Sequence, residues 1–192
     1  GYDVVISAIA GEGLKTSFDF TFRGEALGRL TINLPGIHSA LNAGAAAAMA
    51  LVLGVPFDVI RNTLDSFQGV AMRFQRLGEI QGSVTVMHDY AHHPREIETM
   101  LAALRQAYPG RRLVAIFQPH RYTRTRDQMG NFPPALAGAD VVIVTGIYGA
   151  GETALVGVSE EGIVAGLLNL GHPAVYHVPD KNNIPAAVQR VM

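Results

Sequence analysis

Residues 84–97, V-T-V-M-H-D-Y-A-H-H-P-R-E-I, crowd two carboxylates (Asp89, Glu96), three histidines (His88, His92, His93) and Tyr90 around one predicted strand-to-helix turn. Imidazoles and carboxylates at such a turn can bind a ligand or move a proton, because open α/β sheets take ligands at the carboxyl ends of their strands. A solvated turn, with His93 capping the helix that Pro94 begins, is the plainer alternative. A second cluster follows the next predicted strand: F-Q-P-H-R-Y-T-R-T-R-D, residues 117–127. His120, Arg121, Arg124 and Arg126 alternate there with the hydroxyls of Tyr122, Thr123 and Thr125. Guanidinium groups near a helix start suit a carboxylate or phosphate through bidentate hydrogen bonds. Here the alternative is a solvated basic face.

Three weaker signals lie elsewhere. The loop G-I-Y-G-A-G-E-T, residues 146–153, is glycine-rich after a strand, but its spacing is not a dinucleotide fingerprint, and an ordinary βα loop accounts for it. In P-G-I-H-S-A-L-N-A, His38 and Asn42 stand four apart, on one side of a predicted helix. An asparagine amide offers adenine a donor and an acceptor together; a helix cap from His38 or Ser39 explains the same residues more simply. Arg73, in G-V-A-M-R-F, falls where the pattern of elements changes and is placed to reach a phosphate.

The elements that must position these groups can be read in order. Residues 3–8 form a strand that the glycines at 11 and 13 should break. Residues 16–23 and 30–34 alternate as a hairpin, with Phe18, Phe20 and Phe22 on one face. A helix from Ser39, with Leu41, Ala45, Ala48, Met49 and Val52 as its apolar spacing, should stop at Gly54. A second, with Phe57, Ile60, Leu64 and Phe67, closes at Gly69. Two strands and two helices call for a partner sheet that is not visible. After Phe74, strands at 84–87, 113–117, 141–144 and 174–178 alternate with helices at 96–108, 125–136, 159–170 and 183–191. That rhythm predicts an α/β fold with a doubly wound, mostly parallel sheet. The domain boundary is placed near residues 73–77.

Composition sets the limits. At 192 residues with 48% apolar and 16% charged, the chain can fill a core as one or two domains. Net charge of -1 gives no bulk attraction to nucleic acid or an anionic membrane. Without cysteine there is no disulfide, thiol nucleophile or cysteine-zinc site, which fits a reducing cytoplasm. No apolar run is long enough to span a bilayer and no signal peptide is recognisable. A bare Gly1 followed almost at once by a strand suggests a fragment.

Taken in order, P-G-x-H-x-x-L-N-A, G-x-x-x-R-F, D-Y-x-H-H-P-x-E and F-Q-P-H-R-Y-T-R-T resemble the Mur ligases, as do Y-G-A-G-E at 148–152 and V-P-D at 178–180. The resemblance covers nearly the whole chain. It implies the end of a central ATPase domain (residues 1–74, a hairpin plus two helices) followed by a C-terminal Rossmann-like amino-acid-docking domain (residues 75–192, incomplete at its end). It also implies an ATP- and magnesium-dependent ligase of peptidoglycan synthesis. Its substrates would be UDP-N-acetylmuramic acid and L-alanine, joined through an acyl phosphate. By motif position Asn42 would contact adenine with His38 nearby, and Arg73 and Asp89 would act on the nucleotide. Tyr90 and His92 would line that turn, and His120, Arg121 and Arg124 would hold the amino-acid carboxylate and neighbouring phosphate.

The chain departs from the family pattern at Ser39, His88 and Met72. It has no G-x-x-G-K-[ST] phosphate loop and no UDP-binding domain, so the N-terminal domains of the same protein would be its necessary partners and the chain alone would be inactive. Three rivals remain open: a ligase that attaches a recycled tripeptide, a hydrolase with His88, Asp89, His92, His93 and His120 on a metal, and a non-catalytic ligand-binding domain.

Overall fold

The computed structural model describes residues 3–80 and 82–192. Its contacts divide the chain into two units. One takes residues up to Tyr90 together with Ala102–Pro109, the other Ala91–Leu101 with Gly110–Met192.

In the first unit, β1 (Val4–Glu12), β2 (Lys15–Phe22) and β3 (Glu25–Ile32) form an antiparallel meander in chain order. Gly11 does not end β1. A bulge near Ala8, whose φ is 47°, restores the register, and Gly11 pairs with Thr16. Alternation along β2 and β3 turns Phe18, Phe20, Leu30 and Ile32 to one face, where all four are buried. Each such side chain contributes roughly 1.5–3 kcal/mol when fully buried.

Helices α1 (Ile37–Val52) and α2 (Phe57–Ser66) cover that face. The partner sheet that two strands and two helices call for is this meander, completed by β1. The buried side of α1 is also not the expected one. Ser39, Ala40, Ala43, Gly44 and Ala47 face inward, while Leu41, Met49 and Val52 are exposed. Small residues let the helix backbone lie close on the sheet, and larger ones would hold it off. In α2, Ile60 is buried and Phe57 and Leu64 are half-buried against the same core, but Phe67 at its end is exposed.

The strand β5 (Val84–His88) does not join a parallel sheet. It pairs antiparallel with β4 (Gln75–Ile80), an element the sequence did not announce. Leu77 and Ile80 are exposed along β4, so it lacks the apolar alternation that marks a strand.

The second unit contains the expected parallel sheet, with three strands rather than four: β6 (Val114–Phe117), β7 (Val141–Thr145) and β8 (Val175–Val178), in that order. Every residue of β7 is buried, as befits a central parallel strand. The α/β class holds. Helix α3 (Pro94–Ala107), which precedes β6 and whose residues up to Leu101 fall in this unit, begins at the predicted proline. The predicted helix at 125–136 is instead two short ones, α4 (Tyr122–Gln128) and α5 (Phe132–Leu136), parted at Gly130. Pro133 lies at the first positions of α5, where its missing N–H costs nothing. The remaining helices are α6 (Glu161–Asn169), which buries Ile163 and Leu167, and α7 (Ile184–Val191), whose Val191 packs beside Val141 and Ile143. Leu170, expected on the inner face of α6, is exposed.

Candidate functional site

In the first unit, α1 starts at Gly36, whose φ of 96° suits glycine; a Cβ there would stand 2.8 Å from the His38 ring. No side chain caps this helix start, so the simple capping role is not the one His38 and Ser39 play. The Ser39 hydroxyl donates to the Pro35 carbonyl at 2.9 Å and lies 3.3 Å from His38 Nε2. Burial pushes the His38 pKa down, with the Asp89 carboxylate pulling the other way, so the ring is neutral at neutral pH. Asn42, one turn further, is exposed.

Asp89 and Tyr90 secure the segment that carries Arg73. Met72 and Phe74, on either side of it, have φ of 61° and 47°. An Asp89 carboxylate oxygen accepts the Phe74 N–H at 2.7 Å, and the Tyr90 N–H donates to the Met72 carbonyl at 2.8 Å. Arg73 itself is exposed between these clamps. Of the sequence-derived candidates, His38 and Asp89 are linked by charge, and Asp89 and Tyr90 hold the residues on either side of Arg73.

In the second unit, Glu96 reaches back from the first turn of α3, and its carboxylate accepts the N–H groups of His92 (2.9 Å) and His93 (3.0 Å). This is the reciprocal half of a capping box, supplied by the glutamate. The His92 ring centre is 5.0 Å from that of His93 and 6.0 Å from that of His120. His120 follows β6, and its ring lies 5.4 Å from Tyr148, in the loop after β7. Arg124 donates to the His120 carbonyl at 3.0 Å and lies 3.2 Å from its Nδ1. A guanidinium only donates, which makes Nδ1 of neutral His120 the acceptor and assigns the proton to Nε2. The His120 pKa is lowered first by desolvation, then by Arg124, His92 and Arg121; Glu152 opposes the shift.

Arg121 caps α4 with a φ of 73°. Its N–H donates to the Tyr148 carbonyl at 2.8 Å, and its carbonyl accepts both the N–H (3.1 Å) and the hydroxyl (2.8 Å) of fully buried Thr125. Glu152, which sequence reasoning left in an ordinary loop, accepts the Thr123 N–H (3.0 Å) and hydroxyl (2.7 Å). Those two bonds hold its pKa low, helped by Arg121 at 3.8 Å. Gly149 allows the approach: a Cβ there would meet the Glu152 carbonyl at 2.8 Å and the Tyr122 ring at 3.2 Å. In the sequence Glu152 showed only as the last residue of Y-G-A-G-E, with no role attached.

Among the described residues no three His, Asp or Glu side chains gather as metal ligands, so the hydrolase reading finds no ligand set. Nor is any helix long and apolar enough to cross a membrane.

The parallel sheet thus brings His120, Arg121 and Arg124 together at the carboxyl end of β6, the side of an open sheet where ligands bind. Residues 72–192 match the family model described as Mur ligase, glutamate ligase domain, and the chain belongs to that family. It is 42% identical, over 94% of its length, to the UDP-N-acetylmuramate–L-alanine ligase of Salinibacter ruber, and 44% identical over 98% to that of Sorangium cellulosum. It spans only 38% and 40% of those proteins. The crystal structure of UDP-N-acetylmuramate-alanine ligase MurC from Thermotoga maritima superposes with a TM-score of 0.80 at 28% identity, over 95% of this chain and 38% of that one.

Proposed function

We propose that this chain is part of an ATP-dependent ligase that joins L-alanine to the carboxylate of UDP-N-acetylmuramic acid in cytoplasmic peptidoglycan precursor synthesis. Residues 1–74 would close its nucleotide-binding domain, and residues 75–192 would form the amino-acid-docking domain. The observation that carries this reading is the cluster of His120, Arg121 and Arg124 at the carboxyl end of β6. Two guanidiniums can pair with an amino-acid carboxylate in fork geometry, and His120, protonated on Nε2, adds a neutral donor. Relatives above 40% identity carry the name of the L-alanine ligase over nearly all of this chain.

On the nucleotide side, the exposed amide of Asn42 suits the edge of adenine, with neutral His38 beside it. Arg73 would reach a phosphate, with Asp89 holding its segment in place. Tyr90 and His92 would line the same turn. ATP supplies the phosphoryl group that activates the sugar carboxylate. The described residues offer no group of three carboxylates or histidines for a divalent cation. In this reading the ligands of magnesium, like the phosphate loop, come from the N-terminal domains of the full-length protein.

The test is phosphate release by the full-length gene product with ATP, magnesium, UDP-N-acetylmuramic acid and single amino acids. Release that needs both the sugar nucleotide and L-alanine supports the proposal. Release that needs a tripeptide transfers the chain to the recycling ligases, and saturable binding without turnover makes it a binding domain.

A further inference from the structure

We propose that Glu152 is a positioning residue of the amino-acid site, which fixes the turn at residues 121–123 and, through it, the guanidinium of Arg121. The proposal rests on the ligase reading for the identity of the docked anion, but not for the mechanics of the turn. Arg121 has φ 73° and ψ 137°, a backbone conformation that side chains with a Cβ avoid. Such a conformation persists only where the surroundings over-determine it. Upstream, the Arg121 N–H is held by the Tyr148 carbonyl; downstream, its carbonyl is held by Thr125. The third restraint is Glu152, which takes both the N–H and the hydroxyl of Thr123 on its two carboxylate oxygens.

Glu152 is the only one of these restraints that is charged, and the distances define its part. At 3.8 Å from Arg121 Nη1 it is beyond hydrogen-bond reach. It therefore leaves the guanidinium's donors free and acts on Arg121 through the turn. Half of the Arg121 side chain remains exposed, while only 22% of the Glu152 side chain does. The carboxylate is itself anchored, since the Glu152 N–H donates to the Gly149 carbonyl at 3.0 Å. The loop after β7 thus sets the geometry of an arginine on the loop after β6.

The experiment compares Glu152→Ala, Glu152→Gln and Glu152→Ala/Thr123→Val in the full-length protein. Glu152→Ala should raise KM for L-alanine about ten-fold, equivalent to about 1.4 kcal/mol, and leave KM for ATP unchanged, with the unfolding temperature lowered only by the loss of the two Thr123 hydrogen bonds. Glu152→Gln keeps an acceptor for the Thr123 N–H and should restore most of the affinity. The double variant should be no worse than Glu152→Ala alone, because both changes cut the same connection. A normal L-alanine KM in Glu152→Ala, or a parallel rise in every KM, overturns the proposal. Should the wild-type protein not ligate L-alanine, the ligase reading fails while the proposal still faces phenylglyoxal labelling of Arg121, read by peptide mass. Labelling should be several-fold faster in Glu152→Ala than in wild type or Glu152→Gln, and equal rates overturn it.

Discussion

Removing the Asp89 carboxylate tests whether one side chain both holds a strained segment and serves the nucleotide site. Asp89 accepts the N–H of buried Phe74 at 2.7 Å, between residues whose positive φ values make the segment costly to maintain. A hydrogen bond to a charged acceptor contributes about 1.5–3 kcal/mol. Asp89→Ala forfeits that bond. A net loss of about 2 kcal/mol follows, or roughly thirty-fold faster exchange of the Phe74 amide, given about 1.4 kcal/mol per decade. Asp89→Asn keeps an acceptor oxygen and should lose about 1 kcal/mol or less, roughly five-fold in exchange. Hydrogen exchange resolved at Phe74 and Tyr90 reads both effects without requiring global unfolding. If Asp89 also serves the nucleotide, Asp89→Asn should lose ligase activity while the Phe74 amide stays protected. Unchanged exchange in Asp89→Ala, or equal exchange in the two variants, refutes the clamp.

Further expectations concern the other elements. Gly149→Ala forces a Cβ to 2.8 Å from the Glu152 carbonyl and should destabilise by about 1–3 kcal/mol, seen in the urea midpoint, while raising the L-alanine KM. Gly44→Ala places its methyl 2.2 Å from Ile6 Cδ1; it should destabilise despite a helix-propensity gain of up to about 1 kcal/mol, and Ile6→Val, which deletes that atom, should restore stability in the double variant. His120 has a folded pKa below its unfolded value of about 6.5. Its contribution to stability is fully present above that value and declines as pH falls from there towards the folded pKa. His120→Gln should flatten the stability–pH slope in that window, and identical slopes in urea titrations from pH 7.5 to 5 would count against the assigned neutral ring. The isolated chain should release no phosphate with the full substrate set, and detectable ligation would contradict its assignment as part of the enzyme.

The parts of the fold legible in the sequence were those where hydrophobic contrast is strong. The alternating phenylalanines of β2, the continuous apolar run of β7 and the faces of Ile97–Leu101 and Ile163–Leu167 announced themselves. Contrast failed in α1, where alanine and glycine form the inner face because the helix must lie close to the sheet, and the larger Leu41 and Met49 point away. It failed again at β4, whose side chains are largely exposed, so that β5 was assigned to the parallel sheet instead of to an antiparallel pair. The two clusters after β5 and β6 were legible because titratable groups are dense there. Glu152 was visible only as the end of Y-G-A-G-E, because its contact with Thr123 is a long-range approach that no local spacing encodes.

In both three-stranded sheets, spatial order repeats chain order. A ribosome therefore delivers each strand next to the one made just before it, and loop-closure entropy is kept small at every step. The meander can complete this way without waiting for distant sequence. The hazard lies at β7. Its backbone is hydrogen-bonded to β6 along one edge, but the other edge stays open until β8 is made. The residues from Gly146 to Ala174 come first, which takes about 1.5 to 6 seconds at about 5–20 residues per second. Throughout that interval the unpaired backbone edge of an apolar strand is open to other nascent chains. Synthesis, more than the finished fold, is where this chain has most need of a chaperone.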